Sequence, residues 1–167
     1  MCVPTATVDP YPVTLGRGFL LPSMEPTGFS KILIAHDGSE GANKALAAAI
    51  DLAKRFQSEL HLISIEEHLP HYALGMGRET EKEREENRYF QEIVEKSRVL
   101  ALKQGVTLHP HILPGHEVGT IVRFARDHKI DLLVLGFTGH SNIFNRIWGS
   151  TSQSLTQLAP CQVLVVK

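Results

Sequence analysis

Apolar residues change their spacing along the chain in a regular alternation that begins near residue 31. Short apolar runs typical of buried strands occur at 31–36, 59–66, 106–113, 131–136 and 161–166. Between them, apolar residues recur at helical spacing from the predicted N-cap Ser39 to Phe56, and over 82–104, 117–128 and 149–159. Alternating strands and helices predict an α/β fold, in which a doubly wound parallel sheet is covered by helices on both faces.

Single residues within these elements predict local geometry. Gly105 follows the second helix at the position of a C-cap glycine, where a left-handed backbone conformation ends the helix. Pro110 interrupts the third strand and has no N–H to donate, so this strand is predicted to lie at an edge of the sheet. The spacing of the second helix predicts that Val94, Leu100 and Ala101 face the core.

Residues 1–29 differ from the rest of the chain. They contain five of the nine prolines and show no periodicity. We interpret them as an irregular N-terminal arm, either ordered against a partner subunit or a linker remnant, and residues 30–167 as the folded domain.

Composition and charge narrow the class of protein. A length of 167 residues suits one domain, and a net charge of −1 argues against nucleic-acid and membrane partners. The longest apolar runs are far too short to span a bilayer, and the N-terminus lacks the pattern of a secretory signal. Cys2 and Cys161 form neither a disulfide framework nor a zinc pattern, so a reducing cytoplasm is the expected compartment.

The loop 136–150 is the main candidate for binding chemistry. Gly136 and Gly139 follow the fourth apolar run, and after nine residues Gly149 and Ser150 open the last predicted helix. A helix N-terminus offers unpaired N–H groups and a partial positive charge to a phosphate, and the hydroxyls of Thr138, Ser150, Thr151 and Ser152 add donors. A long turn with a serine N-cap accounts for the same residues without a ligand, and the spacing leaves both interpretations open.

Asp37 follows the first strand in the turn-like segment HDGS, residues 36–39. Its carboxylate suits a ribose hydroxyl or a nearby metal, and also suits an ordinary turn. If the first and fourth strands are neighbours, Asp37 and the loop 136–150 line the same crevice.

Nine histidines raise the question of a metal site. His109 and His111 share one face of the third strand, yet no acid–histidine cluster has a recurrent zinc spacing. We therefore predict solvated histidines and no metal site. No nucleophile elbow or activated cysteine is evident, so no catalytic residue is predicted.

The pattern Gly136-x-x-Gly139-x(9)-Gly149-Ser150 resembles that of the ATP-binding subgroup of the universal stress protein family. The segments KILIAHDGS, ELHLISI, DLLVLG and APCQVLVVK are also similar to that family, so the resemblance covers about residues 30–167. It implies a five-stranded parallel sheet in the order 3-2-1-4-5, of the adenine nucleotide α-hydrolase-like type, and a homodimer. In that order the last strand, 163–166, is a short apolar edge, so the two copies are expected to pair through the C-terminal strand.

The resemblance also implies site residues. Asp37 and Gly136 would lie near the ribose, while Ala35 would leave room for adenine and Ile65 would offer backbone groups and an apolar wall to it. The residues expected around the phosphates are Thr138, Gly139, His140, Gly149, Ser150 and Thr151.

The function implied by the resemblance is that of an ATP-binding regulatory switch in the stress response. ATP, with or without magnesium, is the expected ligand, and a second copy of the chain and an unidentified protein are the expected partners. Arg146 and His140 could stabilise charge, but no residue stands out to orient a water, so any ATP hydrolysis should be weak. A slow ATPase or phosphotransferase and a nucleotide-free interaction module are the alternatives.

Overall fold

The computed structural model describes residues 28–66, 81–138 and 150–167. The five strands are β1 (Lys31–Ala35), β2 (Glu59–Glu66), β3 (Leu108–Pro114), β4 (Leu132–Gly136) and β5 (Gln162–Val166). The four helices are α1 (Glu40–Phe56), α2 (Glu81–Lys103), α3 (Glu117–Asp127) and α4 (Ser150–Leu158). These bounds agree closely with the predicted elements.

The strands form one parallel sheet in the order β3-β2-β1-β4-β5, which confirms the predicted doubly wound fold and its strand order. β3 lies at an edge, as Pro110 predicted. The chain winds outward from β1 through β2 to β3, then returns to place β4 on the other side of β1. The strand order therefore reverses between β1 and β4, and ligands of such sheets bind beside a reversal of this kind.

Two apolar cores lie on opposite faces of the sheet because successive strand residues point to opposite sides. Ile32 and Ile34 of β1 pack in the core that α1 and α2 cover, whereas Leu33 packs in the core that α3 and α4 cover. Both faces of β1 are thus buried, which explains the continuous apolar character of this strand.

The helix boundaries follow the predicted caps. Ser39 caps α1, since its Oγ accepts the backbone N–H of Ala42 at 3.1 Å. Gly105 has a φ of +76°, in the left-handed region that a C-cap glycine supplies. The prediction for Leu100 of α2 is wrong, because this side chain is 41% exposed while Ala101 is fully buried. One step along a helix turns a side chain by about 100°, which carries Leu100 off the buried stripe.

Three segments with sequence predictions fall outside the described residues. They are residues 1–27 of the N-terminal arm, residues 67–80 between β2 and α2, and residues 139–149 between β4 and α4. The boundary between arm and domain therefore stays a prediction.

None of the four helices described is both long enough and apolar enough to cross a membrane.

Candidate functional site

The carboxyl ends of β1 and β4 lie side by side at the point where the strand order reverses. Leu33 pairs with Leu133 and Ile34 with Val134 in the parallel register, so the two strands end together at Ala35 and Gly136. Asp37 and the start of the loop after Gly136 therefore lie at the same edge of the sheet. The first and fourth strands are neighbours, as a crevice lined by both segments requires. Ligands of doubly wound sheets bind at such an edge.

The turn that carries Asp37 is held by local hydrogen bonds. Oδ1 of Asp37 accepts the backbone N–H of Ser39 at 2.9 Å, and Nδ1 of His36 lies 3.1 Å from the backbone nitrogen of Gly38. Gly38 has a φ of +87°, which favours glycine. The half-buried carboxylate of Asp37 is thus part of an ordinary turn and is also presented at the candidate site.

Tyr89 of α2 covers this turn. Its hydroxyl donates to the carbonyl oxygen of Asp37 at 3.2 Å, and a Cβ added at Gly38 would overlap with it. Burial raises the pKa of Tyr89 above its ordinary value, and the charge of Asp37 adds to this effect. A neutral phenol is therefore kept as a donor to the turn.

The start of α1 is in close contact with the end of β4 through two glycines. A Cβ added at Gly136 would lie 2.6 Å from the carbonyl carbon of Gly41 and 2.8 Å from the nitrogen of Ala42. Ser39 Oγ also donates to the carbonyl of Thr138 at 3.3 Å. Helix packing thus explains the glycine at 136 without a ligand. The role of Gly41 was missed, since a contact with a residue 95 positions away has no local sequence signal.

The first turn of α4 is anchored over the same strand end. Ser152 Oγ donates to the carbonyl of Gly136 at 2.8 Å, and Thr151 Oγ1 donates to Oε2 of Glu117 at 2.8 Å. The backbone N–H groups of a first helical turn have no acceptor within the helix and carry partial positive charge. Ser150 and Thr151 therefore bring donors to this edge. The position of Glu117, at the start of α3, was not predicted from the sequence.

The end of β2 borders the crevice through its backbone. The side chain of Ile65 is only 8% exposed and packs in the core under α3 and α4. The carbonyl of Ile63 accepts the N–H of His36, and residues two apart on a strand direct their backbone groups to the same side. The backbone groups of Ile65 are therefore directed past the end of β1, while its buried side chain offers little surface.

Several predicted site residues lie outside the described residues, namely Gly139, His140, Arg146 and Gly149. Within the described ranges, no group of three histidine, cysteine or acidic side chains is placed to hold a metal ion. Cys161 is a free thiol whose pKa is raised by burial, so the described part of the chain offers no activated thiolate here.

The sheet order defines the chain as a doubly wound α/β protein whose strand order reverses between β1 and β4, which makes this edge the candidate ligand site. The model of the universal stress protein family matches residues 28–167, and the chain belongs to this family. The predicted family is confirmed.

Individual relatives support the assignment. Universal stress protein MJ0531 of Methanocaldococcus jannaschii is 34% identical over 143 residues, which cover 83% of this chain and 82% of that protein. The solved structure of universal stress protein UspA from Lactobacillus plantarum is 26% identical, with a TM-score of 0.73, and the match covers 84% of this chain and 99% of that one.

Two more distant structures share the fold. One is a universal stress protein in complex with cAMP, at 23% identity and a TM-score of 0.62, covering 84% of this chain and 98% of that one. The other is the universal stress protein from Archaeoglobus fulgidus in complex with dAMP, at 19% identity and a TM-score of 0.62, covering 83% and 98%. Some proteins with this fold therefore bind adenine nucleotides.

Proposed function

We propose that this chain binds an adenine nucleotide, ATP, at the edge between β1 and β4, and acts as a nucleotide-dependent regulatory module. The observation that carries the proposal is the convergence of three features on one crevice. They are the Asp37 turn, the end of β4 at Gly136 and the first turn of α4. Together they offer a carboxylate for ribose hydroxyls and backbone donors for phosphate oxygens.

Each predicted residue has a role in this proposal. Asp37 and Gly136 border the ribose, while Ala35 and the backbone of Ile65 border adenine. The phosphates are bound by the residues of the glycine-containing loop and the start of α4, namely Thr138, Gly139, His140, Gly149, Ser150 and Thr151.

The nucleotide complexes of the family support the adenine part of the proposal. cAMP and dAMP were bound by proteins of the same fold, and both ligands carry adenine, one sugar and one phosphate. The choice of a triphosphate rests on the spacing Gly136-x-x-Gly139-x(9)-Gly149-Ser150 in this chain.

Glu117 adds a requirement for a cation. Its carboxylate accepts a hydrogen bond from the hydroxyl of Thr151 at 2.8 Å, so a phosphate bound near Thr151 would lie close to another negative charge. Like charges at this distance repel unless a cation lies between them. We therefore expect magnesium to strengthen ATP binding, and Glu117→Gln to reduce that dependence.

The first experiment asks whether nucleotide is bound. Purified protein is denatured, and the released small molecules are identified by mass. Added ATP should raise the melting temperature, because a ligand that binds only the folded state stabilises it by about 2.7 kcal/mol at a hundredfold excess over Kd. Gly139→Val, Gly149→Ala and Asp37→Asn should reduce both signals, whereas Gly119→Ala on α3 should not.

If the three site variants keep full occupancy, the assigned site is wrong. If the wild-type protein neither carries nucleotide nor melts later with ATP, the nucleotide-free interaction module is the better description.

Hydrolysis is a separate question. We expect steady-state turnover of ATP to stay well below about 1 per second, the low end of typical enzymes, with or without magnesium. Faster turnover would favour the ATPase or phosphotransferase alternative.

A second copy of the chain is the proposed partner at β5. This strand lies at the sheet edge, and Val163, Leu164, Val165 and Val166 remain partly exposed in the single chain. An apolar edge of this kind is usually paired or covered, and antiparallel pairing of two copies gives a closed two-fold dimer. Sedimentation at micromolar concentration should show a dimer, and a Val165→Lys variant should be monomeric.

A further inference from the structure

Four histidines and a glutamate converge at the amino-terminal edge of the sheet, opposite the proposed nucleotide site. We call them the histidine cluster: Glu59 and His61 of β2, His109 and His111 of β3, and His128 at the end of α3. The ring of His61 lies 5.4 Å from those of His109 and His111 and 6.4 Å from that of His128, centroid to centroid.

His61 and His111 form a direct pair. Nδ1 of His61 lies 3.1 Å from Nε2 of His111, with 25° between the ring planes. The centroid–centroid distance of 5.4 Å is about the N···N distance plus one ring radius on each side. The two nitrogens therefore lie between the ring centres, and the rings meet edge to edge. Their nitrogen axes point at one another and do not converge on a third point, as the ligands of a tetrahedral metal would. The geometry is that of one shared proton.

Glu59 determines the tautomer of His61. Its Oε1 lies 3.1 Å from Nε2 of His61; the contact lacks hydrogen-bond geometry, but the negative charge favours the ring proton of His61 on this nitrogen. Neutral His61 then has a bare Nδ1, which accepts the Nε2–H of His111. Both neutral imidazoles of the pair are therefore Nε2–H tautomers.

The pair connects the edge strand to the rest of the domain. His61 is 5% exposed, whereas His111 lies on β3, which has a single neighbouring strand. The ring centroid of Phe124, in α3, lies 4.6 Å from that of His111 and 3.9 Å from that of His128, on which Phe124 stacks. Loss of the pair would thus loosen the contacts of β3 and of the end of α3 with β2.

The charged groups around the pair make it sensitive to protonation. Burial lowers the pKa of His61, and the charge of Glu59 opposes this only in part, while His111, His109 and Lys31 add to it. Burial also lowers the pKa of His111, as do the charges of His128 and His109. Burial of Glu59 acts to raise its pKa, but the charges of His61 and Lys31 outweigh burial and hold this pKa below its ordinary value. The carboxylate therefore stays charged.

We propose that the His61–His111 pair is a proton-sensitive lock that holds β3 and the end of α3 on β2. With no added proton the N–H···N bond is intact, and with one proton the two nitrogens can still share a hydrogen bond, although burial disfavours the charge. A second proton places two N–H groups and two positive charges face to face, and the bond is lost. The proposal does not depend on nucleotide binding, because the lock lies at the other edge of the sheet.

The direction of the pH effect follows from proton linkage. In the unfolded chain, His61 and His111 become protonated below about pH 6.5. In the folded chain their pKa values are lowered, so they become protonated only at lower pH. The stability from the lock is therefore complete above that pH and is lost as the pH falls through the lowered pKa values of the folded state. Acidification should open β3 before it unfolds the domain.

The test is amide hydrogen exchange between pH 8 and pH 5, corrected for the intrinsic exchange rate. In the wild-type chain, acidification should speed amide exchange in β3 and at the end of α3. The expected increase is about tenfold for each pH unit by which the pKa values of His61 and His111 differ between the folded and unfolded states. His111→Gln keeps an N–H donor but cannot titrate, so its β3 amides should lose this acid response. His116→Gln, which removes an exposed histidine outside the cluster, should keep it.

A second variant and a spectroscopic readout protect the test against a folding defect in His111→Gln. Glu59→Gln removes the charge that offsets the burial of His61, so it should enlarge the acid response. Imidazole nitrogen resonances at pH 8 should report Nε2–H tautomers for His61 and His111. The proposal is overturned if His111→Gln retains the wild-type response, or if both imidazoles titrate independently near pH 6.5. It is also overturned if stoichiometric zinc stabilises the protein in a manner that requires both histidines.

Discussion

The two edges of this sheet use the same strands for opposite chemistry. At the carboxyl edge, α1, α3 and α4 begin, and Asp37, Ser39 and Ser152 lie around the end of β4. At the amino edge α3 ends, and the histidine cluster gathers beside β2 and β3. Helices in this fold run antiparallel to the strands, so positive helix ends meet at one edge and negative ends at the other. The carboxyl edge suits an anion, whereas the amino edge holds two imidazoles whose pKa is lowered by burial.

The edges also differ in how they are packed. The carboxyl edge is built on close backbone contact between Gly136 and Gly41, while the amino edge is built on ring contacts among side chains. Backbone atoms cannot move aside for an added side chain without a large energetic cost. Imidazole side chains, by contrast, change their charge and hydrogen bonding with pH. We therefore expect the first edge to be sensitive to added volume and the second to protons.

The largest expected effect is at Gly136. Gly136→Val should lower the free energy of unfolding by about 3 kcal/mol, because the new side chain meets the backbone of Gly41 and Ala42. Gly119→Ala is the matched control, since nothing lies within 4 Å of a Cβ there and alanine favours a helix. Urea unfolding measures both. A Gly136→Val variant within 1 kcal/mol of the wild type would contradict the close packing.

At the amino edge, the effect of His61→Leu on the free energy of unfolding should depend on pH. At pH 8 the variant should be less stable than the wild type by about 1–2 kcal/mol, because the N–H of His111 loses its acceptor. Near pH 5 the difference should shrink or reverse, since the wild type then has to keep a buried histidine neutral while its unfolded chain takes up protons. Urea unfolding at both pH values measures it, and a difference that does not change with pH would contradict the protonation argument.

A smaller effect is expected at the cap of α1. Ser39→Ala removes the acceptor for Ala42 and the donor to Thr138, and should cost about 1 kcal/mol. Ser39→Thr keeps a hydroxyl and should recover most of that loss. Equal stability of the alanine and threonine variants would show that the link between α1 and β4 contributes little.

The smallest expected effect is the coupling between the edges. His61 and Ile65 of β2 are separated by about 13 Å along the strand, at about 3.3 Å per residue, and sites this far apart usually contribute independently. A double-mutant cycle of Ser39→Ala with His111→Gln should therefore be additive within about 0.5 kcal/mol at pH 8. A larger coupling energy would join the two edges into one unit.

Much of the architecture was predictable because its signals are local. The apolar periodicity indicated each strand and helix within the described residues, Ser39 and Gly105 indicated helix ends, and Pro110 indicated an edge strand. The glycine spacing of residues 136–150 indicated the family, which the family match confirmed. The roles of individual residues in nucleotide binding stay a prediction.

The histidines show where sequence reasoning ended. His109 and His111 were expected to share a strand face, and they do, but the expectation of solvated side chains is wrong for His111, which is half-buried against His61. His61 is a polar residue in an apolar strand, and no role was predicted for it from the sequence. The parallel register of β2 and β3, which pairs His61 with His109, gives it partners about 50 positions away.

The sequence by itself determined the elements, their order and the family, since hydrophobic period and turn chemistry act between residues close in the chain. Only the tertiary structure decided that Gly136 contacts Gly41, that Thr151 donates to Glu117 and that His61 faces His111. These contacts depend on strand register and on the position of each helix on the sheet. Both are set by packing over the whole domain, so no short stretch of sequence specifies them.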